Sequence, residues 1–127
     1  AAGADEGLFT TPAGHVLEGT ATNVFATTAD RLITAPLAAG VLPGTIRAWL
    51  ITEARRLGID IEERPPTIDE VTAGALLTGS LTGVVPLRML DGRACGDATA
   101  AMQRLMERWT SFLHEGAPTF AAAVPEH

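Results

Sequence analysis

Apolar residues in the first third of the chain come in short alternating runs broken by turn residues, the pattern of strands rather than helices. Gly7-Leu8-Phe9-Thr10-Thr11 meets a Pro12-Ala13-Gly14 turn, and His15-Val16-Leu17-Glu18 follows it. Asn23-Val24-Phe25-Ala26-Thr27 then passes through Thr28-Ala29-Asp30 into Arg31-Leu32-Ile33-Thr34, a spacing that predicts an antiparallel meander ended by Pro36. The period changes at Pro43 and Gly44, which open a helix because proline is tolerated where the first helical N–H would lack a partner. Ile46, Trp49, Leu50, Ala54 and Leu57 recur at helical spacing, Arg47, Glu53, Arg55 and Arg56 take other faces, and Gly58 serves as the C-cap.

Ile59-Asp60-Ile61-Glu62-Glu63-Arg64 alternates as a half-exposed strand does until Pro65-Pro66 stops it. Thr67 and Glu70 form a capping box, which predicts a short helix to about Gly74. Ala75-Leu76-Leu77-Thr78 reads as a buried strand leading to a Gly79-Ser80 turn, and Val84-Val85-Pro86-Leu87-Arg88-Met89-Leu90 as one further strand, followed by an Asp91-Gly92 hairpin turn. The last helix spans residues 99–114, with Met102, Leu105, Met106, Trp109 and Leu113 as one apolar stripe. No repeat or linker interrupts the pattern, so residues 1–115 read as one α+β unit of antiparallel strands with packed helices, and residues 116–127, rich in Ala and Pro, as a loosely ordered tail.

At 127 residues the chain has the size of one domain and can bury about two thirds of its unfolded surface. Apolar residues make up 46% of it, yet no stretch approaches the ~18 consecutive residues of a membrane span, and the chain is expected to be soluble and cytoplasmic. Ala1-Ala2-Gly3-Ala4-Asp5 has neither an initiator methionine nor a signal-peptide pattern and reads as the end of a helix that continues upstream. The net charge of −6, with scattered arginines, argues against a nucleic-acid partner. Cys95 is alone and His15, His114 and His127 have no ligand spacing, so no metal is implied.

Three loops carry candidate chemistry: Glu18-Gly19-Thr20-Ala21-Thr22-Asn23-Val24-Phe25, Leu42-Pro43-Gly44-Thr45-Ile46-Arg47 and Leu77-Thr78-Gly79-Ser80-Leu81-Thr82-Gly83. Backbone N–H groups at a helix start, as at Gly44, Thr45 and Ile46, suit an anion, because unpaired donors and the helix dipole both favour negative charge there. In sequence and order the three loops resemble the cofactor grip of the class IV aminotransferases and 4-amino-4-deoxychorismate lyases, which hold pyridoxal 5'-phosphate. The resemblance runs from about Gly3 to Met106 and corresponds to the C-terminal cofactor-binding domain of the D-amino-acid/branched-chain aminotransferase-like fold. It implies that Glu18 pairs with the pyridine nitrogen, that Gly44, Thr45, Ile46 and Ser80 bind the phosphate, and that the Leu81 and Thr82 amides face the substrate carboxylate. Two positions depart from the family: Ile46 stands where a hydroxyl residue is more usual, and Gly74-Ala75 where an acidic pair is common.

All nine basic residues are arginine and the chain has no lysine. The family forms a Schiff base through a lysine, so the resemblance implies that this lysine, and with it the N-terminal half of the protein, lies upstream of Ala1. No catalytic residue is then expected within this chain, and alone it is expected to be inactive. The resemblance further implies a homodimer acting on an amino acid and a 2-oxo acid, or on 4-amino-4-deoxychorismate. Two alternatives stay open: a non-catalytic module binding pyridoxal phosphate or another phosphate ligand, and a purely structural or partner-binding domain.

Overall fold

The computed structural model describes residues 8–19, 22–90, 92–96 and 99–115. The expected helix end at residues 1–5, the tail at 116–127 and Asp91 of the hairpin turn lie outside the described residues. Four strands open the chain in antiparallel order: β1 (Leu8–Thr10), β2 (Val16–Gly19), β3 (Asn23–Thr27) and β4 (Arg31–Thr34). Helix α1 (Thr45–Arg56) then carries the chain over to β5 (Asp60–Glu63), which pairs with β4 in parallel, Arg31 opposite Asp60 through Thr34 opposite Glu63. That parallel pairing was no part of the expected meander. It arises from the helix between the two strands, which returns the chain to the starting end of the sheet.

Helix α2 (Ile68–Ala73) precedes β6 (Ala75–Gly79), which pairs antiparallel with β3 from Asn23 opposite Thr78 to Ala26 opposite Ala75. β7 (Gly83–Pro86) forms the outer edge against β6. The single strand expected over residues 84–90 is in fact two. Pro86 has no N–H to extend a ladder, and after the Leu87 N–H reaches the Ala75 carbonyl at 2.9 Å the chain leaves the sheet. It forms a separate hairpin of β8 (Met89–Leu90) and β9 (Arg93–Ala94) before α3 (Ala100–His114).

β3 is the centre of the sheet, and all five of its residues are buried. Its period of two divides the core. Phe25, with Leu32, Leu76 and Val84, faces α1 through Ile46, Leu50 and Ala54, and α3 through Ala101, Met102 and Leu105. Val24 and Ala26, with Val16, Ile33 and Ala75, face Val71 of α2. α1 and α3 are tied by an aromatic cluster in which Trp49 meets Trp109 edge-on at 5.2 Å and Phe112 at 5.1 Å. Gly83 lies under it: its φ is +74°, and a methyl there would come within 2.7 Å of the Trp109 ring. Leu113, expected on the apolar stripe of α3, is half exposed.

The capping box of α2 forms as its sequence predicts. Thr67 Oγ1 accepts from the Glu70 N–H at 3.1 Å, and Glu70 Oε1 accepts from the Thr67 N–H at 2.9 Å. Arg64 closes on the same carboxylate with two bonds of 2.9 and 2.7 Å and reaches Glu62 on β5 at 2.7 Å. The Arg64 guanidinium pulls the Glu70 carboxyl down to about 2 from its ordinary 4.5. A carboxyl depressed in the folded state contributes stability above its ordinary value and loses it as the pH falls through the folded one. Glu70→Gln keeps a capping residue but discards the charge. It should therefore lower the unfolding free energy by about 1 kcal/mol at pH 7, with the difference from wild type shrinking between pH 4.5 and 2. Urea unfolding across that range measures it, and a deficit that does not change with pH would rule out the ion pair as its cause.

Candidate functional site

Between β4 and α1 the chain makes a 3₁₀ turn at Leu37–Ala39 and reaches Gly44, whose extended backbone (φ −68°, ψ 146°) is the N-cap of α1. This cap carries no side-chain acceptor, and the first turn of α1 holds no acidic residue. The other long helix differs: Thr99 Oγ1 accepts from the Met102 N–H at 3.1 Å. The first bond of α1 runs from the Ala48 N–H to the Gly44 carbonyl, so the N–H groups of Thr45, Ile46 and Arg47 precede it.

The loop before this helix is fixed by two side chains that face each other across β2 and β3, Glu18 and Asn23. Glu18 Oε1 accepts from the Leu42 N–H and Asn23 Nδ2 donates to the Leu42 carbonyl, each at 2.8 Å. One residue on each strand thus grips the two polar ends of residue 42. Gly44 is required by the same grip, since a methyl on it would stand 2.8 Å from Asn23 Oδ1. The close approach made at this glycine is to Asn23.

A cavity of about 220 Å³ opens where this loop meets the turn after β6. Residues 42–47 form one wall, and Asn23, Thr78, Gly79 and Ser80 form the other. Of the residues singled out in the sequence, Gly44, Thr45, Ile46 and Ser80 are therefore brought together. Glu18 is not part of the lining but is bound to Leu42, which is. Leu81, 98% exposed, and Thr82 lie on the turn beyond Ser80 and outside the cavity.

Two lining residues escaped the sequence reading. Arg47, expected on a polar face of α1, is buried and donates through Nη2 to the Ala35 carbonyl at 3.1 Å. The signal was available: Arg47, Leu50, Ile51 and Ala54 share one helical face, and the last three are all buried. Thr78 is fully buried in β6 directly opposite Asn23. Its Oγ1 and the Nε of Arg47 are both buried without a hydrogen-bond partner among the described residues. Unpaired buried groups are costly in a folded protein, and both belong to residues that line this cavity. Among the described residues no group of three or more His, Cys, Asp or Glu could hold a metal ion, and no helix is long and apolar enough to cross a membrane.

The chain is similar to known proteins in both sequence and fold. The family model for amino-transferase class IV matches residues 1–90. A branched-chain-amino-acid aminotransferase of Pseudomonas aeruginosa is 36% identical over 96 residues, covering 74% of this chain and 31% of that protein. An aminodeoxychorismate lyase of Bacillus subtilis is 31% identical over 113 residues, covering 81% and 37%. The chain thus spans about a third of the length of these relatives. In three dimensions it is similar to the branched-chain aminotransferase of Thermoproteus uzoniensis solved with norvaline, with a TM-score of 0.77, 29% identity, and coverage of 87% of this chain and 38% of that one.

The contact between Gly44 and Asn23 yields a double-mutant test. Gly44→Ala drives a methyl against Asn23 Oδ1 and should destabilise the chain by about 1–3 kcal/mol, moving the Leu42 amide resonance as its clamp opens. In an Asn23→Ala background the same change should cost much less, because the group it strikes is gone. Equal costs in both backgrounds would show that the glycine answers some other constraint.

Proposed function

The chain belongs to the amino-transferase class IV family, and on that premise we propose that its cavity holds the phosphate of pyridoxal 5'-phosphate. The observation that carries this reading is the character of the wall. It offers the open first turn of α1 and the hydroxyl residues Thr45 and Ser80, with no carboxylate among the lining residues. Such a donor set fits a phosphate and would repel a cation. At about 220 Å³ the space suits the phosphate end of the cofactor rather than the whole of it.

On this reading the backbone N–H groups of Gly44, Thr45 and Ile46, with the Thr45 and Ser80 hydroxyls, bind the phosphate. Glu18 is proposed to hold the pyridine nitrogen protonated. With one oxygen fixed by Leu42, its carboxylate is oriented and keeps acceptor positions on the other. The Leu81 and Thr82 amides are proposed to face the substrate carboxylate from the exposed turn. The cofactor, when bound, supplies an electron sink for the bond broken at the substrate carbon. A lysine is also required, and this chain has none. Arginine is no substitute, because it stays protonated at neutral pH.

We therefore assign to residues 1–115 the role of a C-terminal cofactor-binding domain. The lysine is supplied by the N-terminal half of the same protein, the functional unit is a cytoplasmic homodimer, and the isolated chain is inactive. The whole enzyme either moves an amino group between an amino acid and a 2-oxo acid or cleaves 4-amino-4-deoxychorismate. Relatives of both kinds support the pair of activities.

Titrating the chain with inorganic phosphate and with pyridoxal 5'-phosphate should shift the amide resonances of Gly44, Thr45, Ile46 and Ser80, with no amino-group transfer. Adding the lysine-bearing upstream segment should bring turnover. Within that complete enzyme Glu18→Gln should keep the cofactor but lose most of kcat. Phosphate that leaves those four amides unmoved, or turnover by the chain alone, would overturn the reading.

A further inference from the structure

Glu18 and Asn23 are register partners across β2 and β3, so their side chains leave the same face of the sheet beside one another. Both reach one residue. Glu18 Oε1 accepts from the Leu42 N–H and Asn23 Nδ2 donates to the Leu42 carbonyl, each at 2.8 Å. Pro43 explains how a single residue serves both. The residue before a proline is biased to extended conformations, in which its N–H and C=O point to the same side, as they do along a strand edge. Leu42 thus behaves as a one-residue strand paired to side chains instead of to a backbone. Its two partners are not equally fixed. Asn23 is 2% exposed, lies in the central strand and is paired on that strand's other edge with Thr78. Glu18 is only half buried and has one more rotatable bond to hold.

We propose that Asn23 is a positioning residue for Glu18: by holding the Leu42 carbonyl it keeps the Leu42 N–H where that group fixes the Glu18 carboxylate. The inference rests on the assignment of Glu18 to the pyridine nitrogen made above. A carboxylate favours a protonated nitrogen both by its charge and by a hydrogen bond, and the hydrogen bond depends on direction. A glutamate free to swing into solvent gives up part of each. An amide is the group this position needs. Aspartate has the same shape, but it could not donate to a carbonyl and would set a second carboxylate opposite the first. An aliphatic side chain would fill the space and leave Leu42 unheld.

The test takes two readouts from the 127-residue chain. The first needs no cofactor and is hydrogen exchange at the Leu42 amide. Glu18→Ala removes the acceptor and sets the scale. Asn23→Ala should quicken exchange by a comparable factor, about tenfold, although the acceptor is still present. The second is the nitrogen-15 resonance of the ring in bound pyridoxal 5'-phosphate, which reports protonation. Asn23→Ala should lower the ratio of protonated to neutral ring about tenfold, toward its value in Glu18→Ala. Only bound molecules are read, so weaker binding alone does not move this signal. Asn23→Leu fills the same space without a donor and should follow Asn23→Ala in both readouts. Wild-type behaviour in Asn23→Leu would mean that the residue only packs, and the proposal falls. Should Asn23→Ala not fold, Asn23→Leu decides by itself. Unchanged Leu42 exchange in a folded Asn23→Ala chain overturns the proposal whatever the cofactor does. If exchange quickens but the ring nitrogen is alike in wild type and Glu18→Ala, the assignment of Glu18 fails, and the role of Asn23 with it. A ring that responds to Glu18→Ala and ignores Asn23→Ala defeats only the present inference.

Discussion

Residue 42 is held by both of its backbone polar groups, its N–H by Glu18 and its carbonyl by Asn23, each at 2.8 Å. Because the two side chains sit opposite each other on paired strands, the grip transfers the rigidity of the sheet to a loop with no ladder of its own. The start of α1 is thereby aimed: Gly44 and the open first turn stand over the turn that ends β6. Without the grip the cavity would be bounded on one side by a connection free to move on the timescale of loops. The five buried residues of β3 make the arrangement possible. Phe25 anchors α1 and α3 on one face while Asn23, two residues earlier, ties down the loop that leads into α1.

Period and punctuation made most of this architecture legible in advance. Each opening strand is bounded by Pro, Gly, Asn or Asp, and Thr67 with Glu70 announces α2 in four residues. Such features are local, and local sequence determines them. The parallel pairing of β4 with β5 was harder, because the alternation in Ile59-Asp60-Ile61-Glu62 shows a strand but not its neighbour. The break at Pro86 was written in the sequence as a residue without an N–H, yet the same proline is tolerated on an edge strand, and nothing local says where the edge is.

The site was legible in a different way. A helix start with glycine, and a Gly-Ser turn after a buried strand, are visible in the sequence, but only the fold brings Gly44 and Ser80 to one cavity. Thr78 was read within a buried strand but given no role, and the burial of Arg47 was missed, because both depend on remote partners. The Ala35 carbonyl lies twelve residues before Arg47, and Asn23 lies on another strand from Thr78. A polar residue on an apolar face reads as an interruption until its surroundings are known. The arrangement with Glu18 bound to Leu42 was likewise hidden, since the two are 24 residues apart.

Where this chain breaks the ordinary rules of a stable fold, it breaks them together. α2 and α3 begin with threonine caps that satisfy their first turns, whereas α1 begins with a glycine that caps nothing. Buried charge is avoided elsewhere among the described residues, but Arg47 is buried with its Nε unmatched. Thr34, a threonine in the core, finds an acceptor in the Val24 carbonyl at 2.7 Å, while Thr78 finds none among the described residues. Each departure costs stability on its own, and scattered through the molecule they would be defects with separate causes. All three belong to residues that line a single cavity. The same sequence supplies caps to α2 and α3 and an acceptor to Thr34, so the departures gather at one place in the fold rather than being spread through it.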